Sequence, residues 1–499
     1  MVPSRLLPHT TELFSRQYGF QKGKSTTDAI VKLKKIATET TEKYSIGIFA
    51  DIKGAFDRVW WPGALGKLLD IHCPGNLYKL LQNYFSDRKV IITEQHSIVT
   101  RIQNRGCPQG SVLGPLMWCL TFDSPLDELA QIQNCEPIAF ADDLAIIITG
   151  KSRAQLENIA QRAINTLELW CSNHKMTLSK NKTEAMLLKG NLDEERPPRL
   201  TLLNGPLKFK ASVKYLGVMI DRKFKFTSHP TYVAEKAKGI IINYAKFCRL
   251  KWGVSHRAMS TIYRGAIVPI MAYASYVWVD HINSKTQPKL NSAHRYALIR
   301  ATKAYSRTTS TAALEIVANI QPIMNEIQIE KLRYCIRKSL PCTIHGTNYE
   351  TNQQDAKESM QQLKSNLLAK WQQDWSRSTW GRNTMDYFPT VRDRQTKPWV
   401  IPSYFMTQIL TGHGNFLRYL AVRQLTQSDQ RSCGTAETAT HVVYNCRKFN
   451  RERQLFINKL VMKGYIWPAK CSDLTNEDIY CEFEKFVITI MEIKEREGT

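Results

Sequence analysis

The sequence predicts an α+β fold that continues into a mainly helical region, and three observations support this. Two apolar runs, 46–52 and 137–149, have the length and composition of buried strands, and both carry aspartates at an end or a turn. Stretches with helical periodicity lie between these runs without a regular βαβ alternation, which indicates α+β. From about residue 225 the pattern changes to long helices with basic faces.

The predicted elements of the first part follow one another in mixed order. A helix is expected from Ser25 to Glu42, with Ser25 or Thr26 near its N-cap, and another is expected to start near Ser111. The remaining predicted elements are a helix at 62–86, a strand at 89–94 paired with one at 97–103, a helix at 152–174, and strands at 183–188 and 212–220.

The charge balance favours a polyanionic partner. There are 69 Lys and Arg against 44 Asp and Glu, a net charge of +25. Such a surplus is typical of proteins that bind nucleic acid or an acidic membrane surface. The most apolar stretch, Gly265–Val279, is short for a membrane span and contains Pro269, so no membrane partner is expected. The first residues lack the apolar segment of a signal peptide, which predicts an intracellular chain.

Three aspartates are the candidates for chemistry. Asp51 ends the run IGIFA, and Asp142 and Asp143 separate PIAFA from LAIIIT. Carboxylates at the ends of buried strands cost desolvation, and adjacent ones repel, unless cations compensate them. A pair of divalent cations does so, as in two-metal phosphoryl transfer. Taken alone, each site is also compatible with a plain hairpin turn or strand end.

The order of several motifs resembles one enzyme family. The segments FADIKGAFDRV, RGCPQGSVLGPL, FADD, LSKNKTEAMLL and VKYLGVMID follow one another as the palm motifs of non-LTR retrotransposon reverse transcriptases do. QYGFQKGKSTTDAI resembles a fingers segment, GAIVPIMAYASYVW and YSRTTSTAALEI a thumb, and LTGHGNFLRYL and SCGTAETATHVVYNC the carboxy-terminal region of the R1-like clade. The resemblance implies a right-hand polymerase palm with partial fingers, a helical thumb and a small zinc-knuckle-like module, and an amino-terminally truncated Pol polyprotein.

The resemblance also implies an activity. It is that of an RNA-directed DNA polymerase, which uses two magnesium ions to add deoxynucleoside triphosphates to a DNA primer on an RNA template, in the cytoplasm and nucleus. Two alternatives stay open: a catalytically inactive remnant that still binds nucleic acid, and a metal-dependent nuclease, because two-metal carboxylate sites also cleave phosphodiesters.

Individual site residues follow from the same resemblance. The implied catalytic and metal-binding residues are Asp51, Asp142, Asp143 and Lys182, the implied substrate-binding residues are Phe56, Gln109 and Gly110, and the implied primer grip is Tyr215, Leu216 and Gly217. Each has a structural alternative: a core aromatic for Phe56, a turn for Gly110, a surface lysine for Lys182 and a core strand for Tyr215 to Gly217.

Basic residues mark two predicted helical faces that would follow phosphates in a thumb, or simply face solvent. Lys236, Lys246, Arg249 and Lys251 are placed in one helix, and Arg300, Lys303 and Arg307 on one face of another.

A second metal site is predicted near the carboxy terminus. Cys433, His441 and Cys446 resemble a zinc knuckle, whose first cysteine is replaced by Gln430. A structural zinc ion normally needs four ligands, so weak zinc binding is expected. The alternative is that these are three ordinary residues of a small, partly eroded module.

The predicted domain organisation divides the chain into six parts. These are partial fingers (1–45), the palm (46–222), a helical thumb (223–335), a helical connector (336–400), the knuckle-like region (401–460) and a tail (461–499).

Overall fold

The chain folds as two compact units, residues 1–229 and 230–499. A computed structural model describes residues 14–94, 97–108, 110–193, 196–247, 253–305, 307–430 and 433–496. The helices of the first unit are α1 (Thr26–Glu39), α2 (Trp61–Asp70), α3 (Gly75–Phe85), α4 (Gly114–Ala130) and α5 (Arg153–Asn173). Its strands are β1 (Tyr44–Asp51), β2 (Lys89–Glu94), β3 (Ser97–Ile102), β4 (Cys135–Phe140), β5 (Asp143–Gly150), β6 (Glu184–Lys189), β7 (Thr201–Leu202), β8 (Gly205–Pro206), β9 (Lys208–Phe209), β10 (Ser212–Tyr215) and β11 (Val218–Asp221).

A five-stranded sheet with the order β4-β5-β1-β6-β9 forms the centre of the first unit. β1 pairs antiparallel with both β5 and β6, and β9 is parallel to β6. The interior of β1 is buried along its length, because both faces of the sheet are covered. Ile46 and Ile48 face a core that includes α4 and α5, whereas Phe49 points the other way and packs against Tyr215 of β10.

Local signals explain where the helices of this unit begin. Ser25 caps α1 by accepting a hydrogen bond from the Asp28 backbone, and Ser152 caps α5 in the same way through Gln155. One face of α5 then carries buried apolar residues at helical spacing, from Leu156 to Cys171.

A hairpin of β2 and β3 forms a separate two-stranded sheet. All residues of β2 are exposed, as are Ile98, Val99 and Ile102 of β3. Directly opposite residues of an antiparallel pair point to the same side, so both faces of this hairpin present apolar side chains.

The second unit is mainly helical. Its helices are α6 (His229–Ala245), α7 (His256–Ile262), α8 (Val268–Ala272), α9 (Ser275–Trp278), α10 (Gln287–Thr302), α11 (Thr311–Ala318), α12 (Ile323–Lys338), α13 (Ala356–Arg377), α14 (Arg382–Tyr387), α15 (Val391–Gln395), α16 (Tyr404–Thr411), α17 (Leu417–Val422), α18 (Ala439–Tyr444), α19 (Asn450–Met462) and α20 (Glu477–Arg496). A π-helical turn, Tyr263–Ile267, joins α7 to α8, and a short hairpin consists of β12 (Cys342–Ile344) and β13 (Thr347–Tyr349).

Aromatic side chains fill the core of this unit. Trp375, Phe388, Phe416 and Phe483 belong to one buried cluster, to which the apolar face of α20 contributes. A fully buried ion pair joins Lys494 of α20 to Glu437, which lies in the loop before α18. In the ranges that the structure describes, no helix is both long enough and apolar enough to cross a membrane.

The predicted α+β class is confirmed, with several changes of boundary. The first helix ends at Glu39 instead of Glu42, and the helix expected near Ser111 begins at Gly114. The stretch 62–86 is two helices, because Pro74 begins a new helix after α2 has ended. The stretch 212–220 is a hairpin instead of one strand. The six-part division of the chain stays a prediction.

Candidate active site

Two of the predicted aspartates face each other across neighbouring strands. Asp51 is the last residue of β1 and Asp143 the first of β5, and the register makes them direct partners. Side chains alternate along a strand, so Asp51 projects to the same face as Phe49, away from the helical core. Asp51 therefore lies opposite the Asp142–Asp143 turn, although among the described residues the three carboxylates do not all come within 4.8 Å of one another.

The turn that presents Asp142 is held by residues that the motif comparison did not single out. Gln17, which is buried, accepts hydrogen bonds from the backbone nitrogens of Gly19 and Ala141 through its side-chain oxygen, both at 2.9 Å. The Trp118 indole donates to the Ala141 carbonyl at 2.9 Å. Ala141 has a positive φ of 54°, which costs energy for alanine, so these bonds stabilise an unfavourable conformation directly before Asp142.

Gly19 allows this close approach. A methyl group added at Gly19 would meet the Ala141 nitrogen at 2.3 Å. The segment QYGF therefore helps to position the Asp142–Asp143 turn, although it lies more than a hundred residues earlier in the chain.

Lys182 reaches Asp51 from the loop before β6. Its Nζ lies 3.6 Å from Asp51 Oδ2, although most of the lysine side chain is exposed. The loop is fixed to the end of β1, because Ser179 donates its backbone N–H to the Asp51 carbonyl at 2.8 Å and Lys53 donates to the Thr177 carbonyl at 2.9 Å. Backbone hydrogen bonds between this loop and the end of β1 therefore position Lys182 near Asp51, in addition to the attraction between their charges.

The pKa values of Asp142 and Asp143 show that the charged forms of these carboxylates are disfavoured in the folded chain. Burial raises the pKa of Asp142, and the nearby Asp51 raises it further. Burial also raises the pKa of Asp143, with contributions from Asp142 and Asp51, whereas Lys182 opposes the shift. Three oxygen-donor side chains whose charges repel one another fit hard divalent cations.

A cleft of about 380 Å³ lies beside these residues and is closed on one side by the β10–β11 hairpin. The hairpin turn consists of Leu216 and Gly217, both with positive φ (46° and 82°), as a two-residue type I′ turn requires. Leucine is a poor residue for this conformation, so the turn stores strain at the edge of the cleft. Tyr215 is buried against Phe49, and within the described ranges its hydroxyl has no hydrogen-bond partner.

Phe56 lies at the margin of the core. It is partly buried and packs edge-on against Phe20 at 5.8 Å and tilted against Trp118 at 6.2 Å, measured between ring centroids. Gly110 is exposed with a φ of 86°, and Gln109 lies outside the described residues. The placement of Phe56 is compatible with both a core aromatic and a residue that limits substrate size.

The two predicted basic helices are wrong at three positions, Lys246, Lys303 and Arg307. Lys236 is exposed on α6, but this helix ends at Ala245, so Lys246 follows it in a turn. Arg249 and Lys251 lie outside the described residues.

The second basic face fails for a clear physical reason, since α10 ends at Thr302. Lys303 adopts a left-handed conformation there, and its N–H and that of Ala304 bond back to Arg300 and Ile299, which closes the helix. Arg307 therefore lies in a loop, and Arg300 leans over the Tyr296 ring at 5.3 Å.

Cys433, His441 and Cys446 come together in the second unit. Their ligand atoms all lie within 4.8 Å of one another, with Cys433 Sγ 3.4 Å from His441 Nε2. A hydrogen bond from Thr435 lowers the pKa of the Cys433 thiol. Across the described ranges, this is the one trio of His, Cys, Asp or Glu side chains that converges so closely, and no fourth such ligand joins it.

The backbone around this trio has the form of a tight loop. Gln430 forms an antiparallel bridge with Ala436, so it stands at the start of the loop that carries Cys433. The buried Arg453 donates to the carbonyls of Val442, Val443 and Cys446, which fixes the opposite side. The cluster is thus preorganised by its surroundings, although glutamine stands where the resemblance expects a fourth ligand.

Comparison with known proteins gives a consistent result. Residues 1–220 match the family described as reverse transcriptase (RNA-dependent DNA polymerase). The chain is 31% identical over 446 residues to the putative 115 kDa protein in the type-1 retrotransposable element R1DM of Drosophila melanogaster. This alignment covers 88% of this chain and 43% of that protein. The chain is also 31% identical over 449 residues to the retrovirus-related Pol polyprotein of the type-1 element R1 from Bradysia coprophila, covering 89% and 44%.

The chain thus spans less than half of the length of these two relatives. Among solved structures, apo telomerase from Candida Tropicalis overlaps 74% of this chain and 57% of its own, with 10% identity and a TM-score of 0.36.

Proposed function

We propose that this chain is an RNA-directed DNA polymerase, an R1-like member of the reverse transcriptase family from a non-LTR retrotransposon, because residues 1–220 match that family and two R1 proteins are 31% identical to it. One observation supports the proposal most strongly. Asp51 and Asp143 are direct partners across β1 and β5, and Lys182 Nζ lies 3.6 Å from Asp51 Oδ2. The substrates are an RNA template, a DNA primer and deoxynucleoside triphosphates.

The carboxylates of Asp51, Asp142 and Asp143 hold divalent cations, and we assign these as two magnesium ions. When bound, such a pair activates the attacking oxygen and stabilises the leaving oxygen of a phosphoryl transfer. The raised pKa values of Asp142 and Asp143 support this assignment, because burial first and the neighbouring carboxylates second disfavour the charged forms, and a bound cation offsets both effects. Gln17 and Trp118 act as positioning residues, since they touch the backbone before Asp142.

Several residues around the carboxylates bind and orient the nucleotide. Lys182 supplies positive charge toward the departing pyrophosphate, which its exposed ammonium group can reach. Phe56 blocks a ribose 2′-hydroxyl from the partly buried position that it shares with Phe20 and Trp118. Gln109 and Gly110 contact the nascent base pair.

The strained hairpin turn holds the end of the primer. Leu216 and Gly217 line the same cleft as Asp51 and Asp143, so a strand held by this turn lies within reach of the carboxylates. Basic residues of the second unit contact phosphates, and this contribution weakens with salt. These residues are Lys236, Lys246, Arg249, Lys251, Arg300, Lys303 and Arg307.

Cys433, His441 and Cys446 bind zinc weakly. The support is their convergence within 4.8 Å, and the limit is the number of ligands, since Gln430 replaces the expected fourth. Zinc at this site has a structural role and takes no part in nucleotide transfer.

Primer extension by the purified chain tests the proposal. The chain is given a DNA primer annealed to an RNA template, deoxynucleotides and magnesium, and is compared with Asp142→Asn and with Glu136→Gln, an exposed acid of β4. We expect extension by the unmodified chain and by Glu136→Gln, and none by Asp142→Asn, while all three bind RNA alike. Loss of a metal ligand affects the transition state more than phosphate contacts in the ground state.

Three outcomes contradict the proposal in different ways. Extension by Asp142→Asn at the level of the unmodified chain removes the aspartate assignment. RNA binding without extension by the unmodified chain favours an inactive remnant. Magnesium-dependent cleavage of the template or primer without synthesis favours a nuclease.

A further inference from the structure

A group of aromatic rings and one arginine lies together in the second unit. It consists of Tyr305, Tyr404, His413, Tyr419 and Arg423, and is called the ring cluster below. Tyr305 lies 6.3 Å from Tyr404 and 6.4 Å from Tyr419, and His413 lies 4.9 Å from Tyr419, between ring centroids. All four rings are partly exposed, whereas Trp375, Phe388, Phe416 and Phe483 of the same unit are buried in its core.

The planar guanidinium group of Arg423 covers the Tyr419 ring and faces solvent. Its guanidinium carbon lies 4.8 Å from the centre of the Tyr419 ring, and the side chain is exposed. A ring below a guanidinium group holds it flat, so that its outer face can stack on another planar group. The exposed apolar side chains of Val422 and Leu425 flank it in the chain.

The residues of the ring cluster are held in place by neighbours. Thr308 and Tyr419 share a hydrogen bond of 2.9 Å between their hydroxyl groups, which ties the loop after α10 to α17. The first turn of α17 is anchored in turn, because Glu437 Oε1 accepts the Leu417 N–H at 3.2 Å and also pairs with the buried Lys494. A platform fixed by buried contacts loses little conformational freedom when a ligand stacks on it.

Exposed arginines near the ring cluster favour a planar ligand that is negatively charged. Arg307 and Arg423 are exposed, and no ion pair of either is found within the described ranges, whereas Arg418 is neutralised by Asp429 at 2.7 Å. Stacking surfaces accompanied by unpaired arginines are typical of sites for unpaired nucleic-acid bases, where rings and guanidinium planes take the bases and cations take the phosphates. A net charge of +25 agrees with such a ligand.

We propose that the ring cluster binds unpaired bases of a single nucleic-acid strand, with a base stacked on the Arg423–Tyr419 pair. The inference rests on the proposed function, because the polymerase would supply both candidate strands, an RNA and a DNA. The ring cluster contains none of the carboxylates or basic residues named above, and Arg307 adds a cation in the loop that holds Thr308.

Binding of labelled oligonucleotides to the full chain tests the inference. Fluorescence anisotropy is measured with a single-stranded RNA, a single-stranded DNA and an RNA duplex of equal length, at one fixed salt concentration. The variants are Tyr419→Phe, Arg423→Ala and the pair Tyr419→Ala with Arg423→Ala. The control is Arg392→Ala, which removes an exposed cation of α15 that contacts no ring within the described ranges.

We expect the double variant to bind the single strands about tenfold more weakly, the size expected for loss of one stacked base. Arg423→Ala should show part of this loss. Tyr419→Phe should lose less affinity than Arg423→Ala, since it retains the ring and loses only the hydroxyl bonded to Thr308. Duplex binding, and binding by Arg392→Ala, should change little. The RNA and DNA arms identify which strand the surface prefers.

Two results overturn the inference. One is an unchanged single-strand affinity in Arg423→Ala, whose exposed position leaves folding intact. The other is an equal loss for duplex and single strands, which would reduce the role of the ring cluster to charge alone. Primer extension on a short annealed template distinguishes the two proposals. The Tyr419 and Arg423 variants should extend the primer normally. If the unmodified chain binds single strands through the ring cluster but extends no primer, the polymerase proposal is refuted and the proposal for the ring cluster is not.

Discussion

Replacing Asp143 by asparagine should change stability and activity in opposite directions. Asp143 and Asp51 are direct partners in the β1–β5 ladder, and burial and the neighbouring carboxylates raise the pKa of Asp143. Without a bound cation the charge of Asp143 therefore disfavours folding. Asparagine has nearly the same shape and no charge, so Asp143→Asn should stabilise the ion-free chain while it removes a metal ligand.

The magnitudes follow from the strand geometry. Like charges directly opposite each other in an antiparallel pair destabilise by roughly 0.2–1 kcal/mol. For a unit of this size, 1 kcal/mol corresponds to about 2–4 °C in melting temperature, so the first unit should melt up to about 4 °C higher. Loss of a ligand that stabilises transition-state charge by about 4 kcal/mol should lower the extension rate about a thousandfold.

The pH dependence has a defined sign. Because the pKa of Asp143 is raised above its ordinary value of 3.8, the folded chain binds this proton more tightly than the unfolded chain. This contribution favours folding below pH 3.8 and is lost as the pH rises through the raised pKa. The stability advantage of Asp143→Asn should therefore be largest at neutral pH and should shrink as the solution is acidified toward pH 3.8.

Thermal unfolding with and without excess magnesium measures these effects. Magnesium should stabilise the unmodified chain by binding only the folded state, by about 2.7 kcal/mol at a hundred times its dissociation constant, and should stabilise Asp143→Asn much less. Glu136→Gln is the control, since it removes an exposed acid from the same sheet. If Asp143→Asn melts below the unmodified chain without magnesium, the repulsion argument is wrong. An equal magnesium effect in both would remove Asp143 from the metal site.

Three further predictions concern other parts of the chain. Phe56→Ala should increase ribonucleotide incorporation relative to deoxynucleotide incorporation, measured in parallel single-nucleotide extensions, because it removes the ring proposed to exclude the 2′-hydroxyl; unchanged discrimination would leave Phe56 as a core aromatic. Gln430→Cys should bind one zinc ion per chain after dialysis, measured by metal analysis, whereas the unmodified chain should retain far less, since four ligands hold zinc better than three; tight zinc in the unmodified chain, or none in the variant, would contradict this. Lys494→Met should destabilise the second unit by about 3–5 kcal/mol in denaturant unfolding, because Glu437 would remain buried without its partner, and adding Glu437→Gln should recover part of the loss; a small effect of the single substitution would show that the pair is not coupled as its burial indicates.

Some features of this protein could be predicted because they depend on neighbours in the sequence. Ser25 and Ser152 are helix caps whose bonding partners lie three residues ahead. The apolar runs on either side of Asp142 and Asp143 indicate two strands and a tight turn, and β4 and β5 are such a hairpin. Alternation along β1 and β5 then determines which side chains share a face with the aspartates.

Other features required the tertiary structure, because their causes are distant in sequence. The basic residues Arg300, Lys303 and Arg307 have helical spacing, yet α10 closes at Thr302 and leaves Arg307 in a loop. Helical periodicity cannot reveal such an ending when no glycine or proline marks it.

The same reason applies to the candidate active site. The order of the motifs predicts that Asp51, Asp142 and Asp143 belong to one site, but the hydrogen bond between Gln17 and Ala141 joins positions 124 residues apart. The ring cluster likewise depends on loops that meet only in the folded chain, as the bond between Thr308 and Tyr419 shows. The order of the motifs predicted which residues are candidates for the chemistry, and long-range hydrogen bonding and packing decided how they are held, because those contacts leave no periodic signal in the sequence.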